Sequence, residues 1–169
     1  MSMMSIRAAT PRDREAIRLV EEHAFGQQAE AGLVDALVTG GDAVAELVAE
    51  EDGQVVGHIL FSRLFVQTGG KSFAAVALAP LAVEPSFHGS GIGGALIREA
   101  HIRLRDAGET LAVVLGDPAD YGRFGYSHAR AENFESEYQS EALQALAWGD
   151  APEAGRLVYA SAFGSALAA

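Results

Sequence analysis

Four glycines within six positions, Gly89, Gly91, Gly93 and Gly94, separate the most apolar run of the chain from a stretch with helical periodicity. The run, Phe73 to Val83, reads as a central strand, and Ile92, Leu96, Ala100 and Leu104 fall on one face of a helix that Gly108 stops after Asp106. A strand, a glycine turn and a helix in that order leave the first helical amides without intrahelical acceptors, and glycine lets a ligand approach them closely. The pattern predicts an anion site, for phosphate above all; as a tight turn with no ligand it would need the same residues. Pro80 interrupts the apolar run and lacks a ladder donor, so the strand is expected to be distorted there or soon after.

Charge decides how such an anion would be held. Twelve Lys plus Arg stand against 23 Asp plus Glu, for a net charge of −11, and Lys71 is the only lysine. With no Walker box and no lysine clamp, the grip must come from local amides rather than from the overall field. That field repels nucleic acid and anionic membranes, so neither is expected as a partner, and it favours cationic ligands. No cysteine is present, which excludes disulfides, thiolate metal sites, iron–sulfur clusters and thiol catalysis, while 49% hydrophobic residues suffice for a core. His23, His88, His101 and His128 show no metal spacing. The length of 169 residues predicts a single domain over 1–169. No apolar run is long enough to span a bilayer, and Arg7, Arg12, Asp13 and Arg14 precede any secretory-type run, so a cytoplasmic location is expected.

The flanking elements follow from local signals. Thr10-Pro11 with Asp13 reads as an N-cap, a first-position proline and a back-reaching acid, opening a helix with Ala16, Ile17, Val20 and Ala24 on its apolar face. A second helix spans Glu30 to Thr39 and stops at Gly40 and Gly41. Val44 to Ala49 and Val55 to Phe61 form a hairpin about Asp52-Gly53, and a third extended piece, Leu64 to Val66, reaches a turn at Thr68, Gly69 and Gly70. Leu111 to Leu115 is a buried strand, and Pro118 opens a short helix closed by Gly125. A polar strand is expected at Phe134 to Tyr138, then a loop, then an extended Leu157 to Phe163 whose apolar character suits pairing in a homodimer. The end, Ser165 to Ala169, is expected to fray.

Two families share parts of the glycine pattern. Gly89, Gly91 and Gly94 match a dinucleotide fingerprint, with Asp117 at the distance of a ribose-binding acid. However, five residues separate the strand from the first glycine, and an antiparallel ribbon precedes it where a βαβ unit belongs. With the frame set by His88, Gly91 and Gly93, the chain resembles the GNAT superfamily of N-acetyltransferases, more narrowly its YhbS-type branch. The resemblance rests on Leu81-Ala82-Val83-Glu84-Pro85, on His88-Gly89-Ser90-Gly91-Ile92-Gly93-Gly94, and on Gly116-Asp117-Pro118 followed by an arginine and Phe124-Gly125. It extends from Ile6 to about Phe163. His88 stands where that family usually carries Gln or Arg.

The resemblance implies an α/β fold with a mixed, largely antiparallel sheet flanked by helices and a splayed central strand holding acetyl-coenzyme A as co-substrate. It implies that main-chain groups of Leu81, Ala82 and Val83 bind the pantetheine and acetyl carbonyl. The amides of His88, Gly89, Ser90, Gly91, Ile92, Gly93 and Gly94 would then bind the pyrophosphate. Tyr121, four residues before Gly125, matches the tyrosine that faces the coenzyme sulfur and would be the general acid. The implied reaction is direct acetyl transfer to a primary amine of a small-molecule or peptide acceptor. A module that binds or senses acyl-coenzyme A without turnover is the alternative. Glu30 and His58 are candidates for the acceptor side: Glu30 can bind an ammonium or complement its helix dipole, and His58 can relay a proton or serve as a bonded core histidine. Glu84 reads as a solvent-facing turn residue and Asp117 as a helix cap, so the base stays open.

Overall fold

The computed structural model describes residues 3–167. Strand β1 (Met4–Ala8) leads through a 3₁₀ turn (Pro11–Asp13) into helices α1 (Arg14–Phe25) and α2 (Ala29–Thr39). The Asp13 carboxylate accepts from the Thr10 amide at 2.7 Å, the expected reach-back to the cap, and it also takes a bidentate pair from Arg7 at 2.7 and 2.9 Å. The helix therefore begins three residues later than its proline, behind a 3₁₀ turn. Strands β2 (Ala43–Glu51) and β3 (Gln54–Thr68) form the expected hairpin: Asp52 and Gly53 take φ values of 51° and 81°, and Glu51 faces Gln54 across a two-residue turn.

Strand β3 is continuous. The separate extended piece expected at Leu64 to Val66 is its second half, joined to the first through Ser62, which is fully buried, and Arg63, which binds Glu109 at 2.8 and 2.9 Å. Next come β4 (Lys71–Val83), a second 3₁₀ turn (Pro85–Phe87), α3 (Ile92–Asp106) and β5 (Leu111–Leu115). The chain ends in α4 (Pro118–Tyr121), α5 (His128–Ala131), β6 (Phe134–Glu135), β7 (Leu143–Ala147), β8 (Gly155–Tyr159) and α6 (Ser161–Leu167). The sheet runs β1-β2-β3-β4-β5-β7, antiparallel except for the parallel β4–β5 pair. Strand β8 pairs with β3 over Leu64–Gln67 and with β6.

Three expectations are corrected. The polar strand near Phe134 to Tyr138 is only two residues long. The stretch taken as loop after it contains β7. The extended Leu157 to Phe163 becomes strand only to Tyr159, and the residues from Ser161 turn helical, with Phe163 packed against Tyr159. Among the described residues β8 pairs with β3 over Arg156–Tyr159 and with β6 only at Gly155 and Arg156, which leaves one edge of Leu157–Tyr159 for the pairing expected in a homodimer. Ser165 to Leu167 lie within α6, and 168–169 of the tail expected to fray are outside the described residues.

At the centre, β4 parts from β5. The two strands pair only at Val76, Ala77 and Leu78, against Ala112, Val113 and Val114. On the other edge the register with β3 slips: Ile59 faces Leu81 but Phe61 faces Leu78, so Ala79 and Pro80 together oppose Leu60. The extra residue reverses the alternation. Val76 and Leu78 face α3 before the bulge, Leu81 and Val83 after it, and Ala79 turns to the α1–α2 face. Helix α3 packs with Ile92, Leu96, Ala100 and Leu104, as its periodicity predicts. It lies directly on β3 at Gly57, where a Cβ would come within 2.9 Å of Ile92 Cγ2 and 3.0 Å of Leu96 Cδ1.

On α3 itself, His101 sits among Phe61, Tyr126 and Trp148. Its Nε2 lies 2.9 Å from the Tyr126 hydroxyl, whose pKa burial raises far enough that the phenol keeps its proton and donates. Burial, with a smaller contribution from Arg105, lowers His101 from 6.5 to about 4, so the native ring is neutral where the unfolded one charges. A depressed histidine pKa makes the unfolded state bind the extra proton between the two values, so stability is present above 6.5 and lost as the pH falls toward 4. The loss is that of one proton taken up preferentially by the unfolded chain. His101→Gln, which keeps an acceptor for Tyr126 but does not titrate, is expected to flatten that part of the pH profile of the denaturation midpoint. An unchanged profile would remove the assignment.

Candidate active site

The parting of β4 from β5 exposes main-chain groups. The Glu84 amide donates to Val56 O at 2.8 Å, and Ala82 faces His58 two residues earlier, so the even-numbered groups of this segment bond to β3. The amides of Leu81 and Val83 consequently point the other way, where β5 no longer pairs. The side chains of the same two residues pack on the first turn of α3: a Cβ on Gly93 would sit 3.8 Å from Val83 Cγ2 and 3.9 Å from Leu81 Cδ2.

The turn between them is built for exposed amides. Gly89 and Gly91 take φ of 82° and 87°, a region only glycine enters without cost, and Gly91 is the N-cap of α3. Within the turn, the His88 amide donates to Pro85 O and the Ser90 amide to Phe87 O, each at 3.2 Å. The amides of Gly89, Gly91, Ile92, Gly93 and Gly94 have no acceptor among the described residues and gather at the positive end of a helix of 15 residues. The His88 ring closes the turn, its Nε2–H donating to Val83 O at 2.9 Å, so that side chain is spent on fixing the loop to the end of β4. Of the residues expected to face an anion, then, His88 and Ser90 have their amides engaged internally.

Two guanidinium groups that sequence reasoning missed stand beside this turn. Arg98 and Arg123 stack on the Phe124 ring at 5.1 and 4.6 Å, and a Cβ on Gly94 would lie 3.3 Å from Arg98 Nη1 and 3.6 Å from Arg123 Nη2. Both are exposed, and neither forms an ion pair among the described residues. They lie 25 positions apart and meet only through the packing of Phe124 on α3, which no spacing rule shows.

Tyr121 closes α4, the helix capped by Asp117, whose carboxylate accepts from the Ala119 amide at 2.9 Å. Its ring abuts Gly116, where a Cβ would come within 2.5 Å of Cε2, so a side chain at 116 would displace the ring. Burial, then Asp120, raises the Tyr121 pKa, and the phenol is protonated at neutral pH. Tyr121 lines a cavity of about 360 Å³ that passes through the gap, since its walls include Leu78, Leu81 and Val114 from the α3 face and Ala77, Ala79 and Val113 from the other. Glu30, in the first turn of α2, lines the same cavity. Glu84 is tied to α1 through His23, whose Nδ1 lies 2.9 Å from its carboxylate.

His58 is elsewhere. Its even register turns it under α1, fully buried, with Nδ1 2.7 Å from Glu21 and Nε2 2.8 Å from Glu46, which in turn binds Arg14. Burial alone would lower its pKa, but the two carboxylates outweigh it and the net shift is upward. It does not line the cavity, so the relay role considered for it is replaced by that of a bonded core histidine. No group of three or more His, Asp or Glu suited to a metal occurs among the described residues, and no helix there is long and apolar enough to cross a membrane.

Comparison with known proteins agrees with this geometry. Residues 5–129 match the acetyltransferase (GNAT) domain family. The uncharacterized N-acetyltransferase YhbS of Escherichia coli K12 is 39% identical over 127 residues, 75% of each chain. Its crystal structure in complex with CoA superposes with a TM-score of 0.89 at 32% identity, covering 97% of this chain and 93% of that one. A GNAT family acetyltransferase from Brucella melitensis, in complex with acetyl-CoA, gives a TM-score of 0.81 at 40% identity over 95% and 98% of the two chains. With most of its length matched by the family and by relatives at this identity, the chain belongs to the GNAT acetyltransferases.

Proposed function

We propose that this acetyltransferase binds acetyl-coenzyme A across the turn and gap described above and moves the acetyl group directly to a primary amine. The observation that carries the reading is the alignment of two sets of unbonded amides. One set, at Gly89 and Gly91 to Gly94, suits a diphosphate; the other, at Leu81 and Val83, suits an extended amide-bearing arm and a carbonyl. The CoA and acetyl-CoA held by the YhbS and Brucella structures support it. Arg98 and Arg123 would add positive charge at the turn, countering the phosphates in a chain of net charge −11.

The thioester supplies an activated carbonyl and a thiolate leaving group. The unbonded amides of the gap would stabilise the carbonyl oxygen as negative charge develops on it. The amine nitrogen forms the new bond to carbon, the carbon–sulfur bond breaks, and the Tyr121 hydroxyl gives its proton to the departing sulfur. The proton shed by the amine passes to water and so restores the phenol. With its pKa raised above 10, Tyr121 is a reluctant donor whose contribution is modest.

Three outcomes follow. Gly91→Glu, which places a side chain at φ 87° and a negative charge among the amides, is expected to abolish the thermal shift caused by the coenzyme. A full shift in that variant would refute the phosphate assignment. Tyr121→Phe should lower kcat by about ten- to a hundredfold with coenzyme affinity nearly intact, and Gly116→Ala, by displacing the ring, should follow it; unaltered turnover in both would remove the acid role. Arg98→Ala and Arg123→Ala should each weaken coenzyme affinity by about 1 kcal/mol, about fivefold in Kd, with the difference shrinking at high salt. Affinity that is unchanged at low salt would exclude these groups from the site.

A further inference from the structure

We infer that the acceptor is a primary amine with no other charged group, on an aromatic or alkyl body, its ammonium held by Glu30 on binding and giving one proton to water before the neutral nitrogen attacks. This rests on the proposed acetyl transfer at the same cavity. Sheet alternation divides the walls. Leu81, Val114 and Tyr121 belong with the α3 side, where the coenzyme turn lies, and the opposite side is left for the acceptor.

That opposite side is apolar and aromatic. Its walls are Phe25, Leu33, Tyr138, Tyr159 and Phe163, with Tyr159 edge-on to Tyr138 at 5.2 Å and to Phe163 at 5.5 Å. Among the residues lining the cavity, Glu30 carries the only charge, and none is Lys, Arg or His. Gln27 Nε2 lies 3.1 Å from both Glu30 oxygens, an arrangement that fixes the carboxylate's orientation and leaves it lone pairs for an incoming N–H.

Each feature selects. Within the cavity one carboxylate neutralises one ammonium; a second cation, as in a polyamine or aminoglycoside, would find no counter-charge in the lining and would have to reach past Tyr138 to Glu137. A carboxylate on the acceptor, as in an amino acid, would find no cationic partner and would face Glu30. An apolar body displaces water from Phe25, Leu33 and the tyrosines. The volume, about 360 Å³ to be shared with the thioester end, is near the lower limit of small-molecule sites and admits a single ring or a short alkyl chain.

The test is a thiol-release assay with acetyl-coenzyme A against phenethylamine, hexylamine, phenylalanine, spermidine and a lysine-containing peptide. The first two are expected to exceed the others in kcat/KM by about tenfold or more. Glu30→Gln should raise KM for phenethylamine by about tenfold while kcat and coenzyme affinity hold. Preference for spermidine, phenylalanine or the peptide, or indifference to Glu30→Gln, would overturn the acceptor class and leave acetyl transfer standing. Should the coenzyme fail to bind, the transfer reading falls, and calorimetric titration of phenethylamine into the protein alone still decides the cavity. Saturable binding that Glu30→Gln weakens upholds the site, and absence of binding to wild-type protein refutes it.

Discussion

Main-chain hydrogen bonds withheld from a sheet are the constraint around which this molecule is arranged. A strand interior normally pairs every amide and carbonyl, and leaving them unpaired in a dry core is costly. Here β4 keeps β3 along its full length but leaves β5 after Leu78, and the groups of Leu81 and Val83 stay accessible because a cavity opens where the next strand would be. The bulge at Ala79 and Pro80 serves the same end. By inserting one residue it turns Leu81 and Val83 toward α3, so the free amides and the helix N-terminus come to lie side by side. The glycine turn adds its own unbonded amides to the same edge, and His88 locks the turn to Val83 O.

The α1–α2 side is held in place by charge. Arg14, Glu46, His58 and Glu21 form a chain of contacts from the start of α1 through β2 and β3 back to α1, with His58 and Glu21 fully buried. An imidazole bonded through both nitrogens to carboxylates favours its protonated form, Arg14 adds a second positive group against Glu46, and burial pushes the Glu21 carboxyl upward. This pins α1, and with it the loop that leads to α2 and Glu30. His23 on the same helix reaches Glu84, so both ends of α1 are fastened to the sheet.

Much of this could be read from the sequence because it is local. The Asp52-Gly53 hairpin, the helix of Ile92 to Asp106, the cap at Asp117 and the disruption at Pro80 each depend on residues within a few positions of one another. What escaped depends on tertiary context. Strand β1 is partly exposed and carries no alternating signal, β7 follows a polar stretch, and the residues 161–167 are apolar enough to suit either a strand or a helix. Ser62 and Arg63 gave the impression of a break in β3 because the partners that satisfy Arg63, Glu109 and Ala75 O, are distant in sequence. At the site, Glu30 and Tyr121 were recognisable and line one cavity, whereas the side of the sheet on which His58 lies could not be known without the register. The convergence of Arg98 and Arg123 on Phe124 had no sequence signal.

Strand β3 is flanked on one edge by two different neighbours, β2 along its first half and β8 at Leu64–Gln67. The second neighbour arrives almost ninety positions later, and it brings with it Tyr159 and the helix bearing Phe163. A nascent chain therefore emerges with that stretch of β3 bare, a ready template for a foreign strand, until β8 is synthesised. Sealing of this edge and completion of the cavity's aromatic wall are therefore one event.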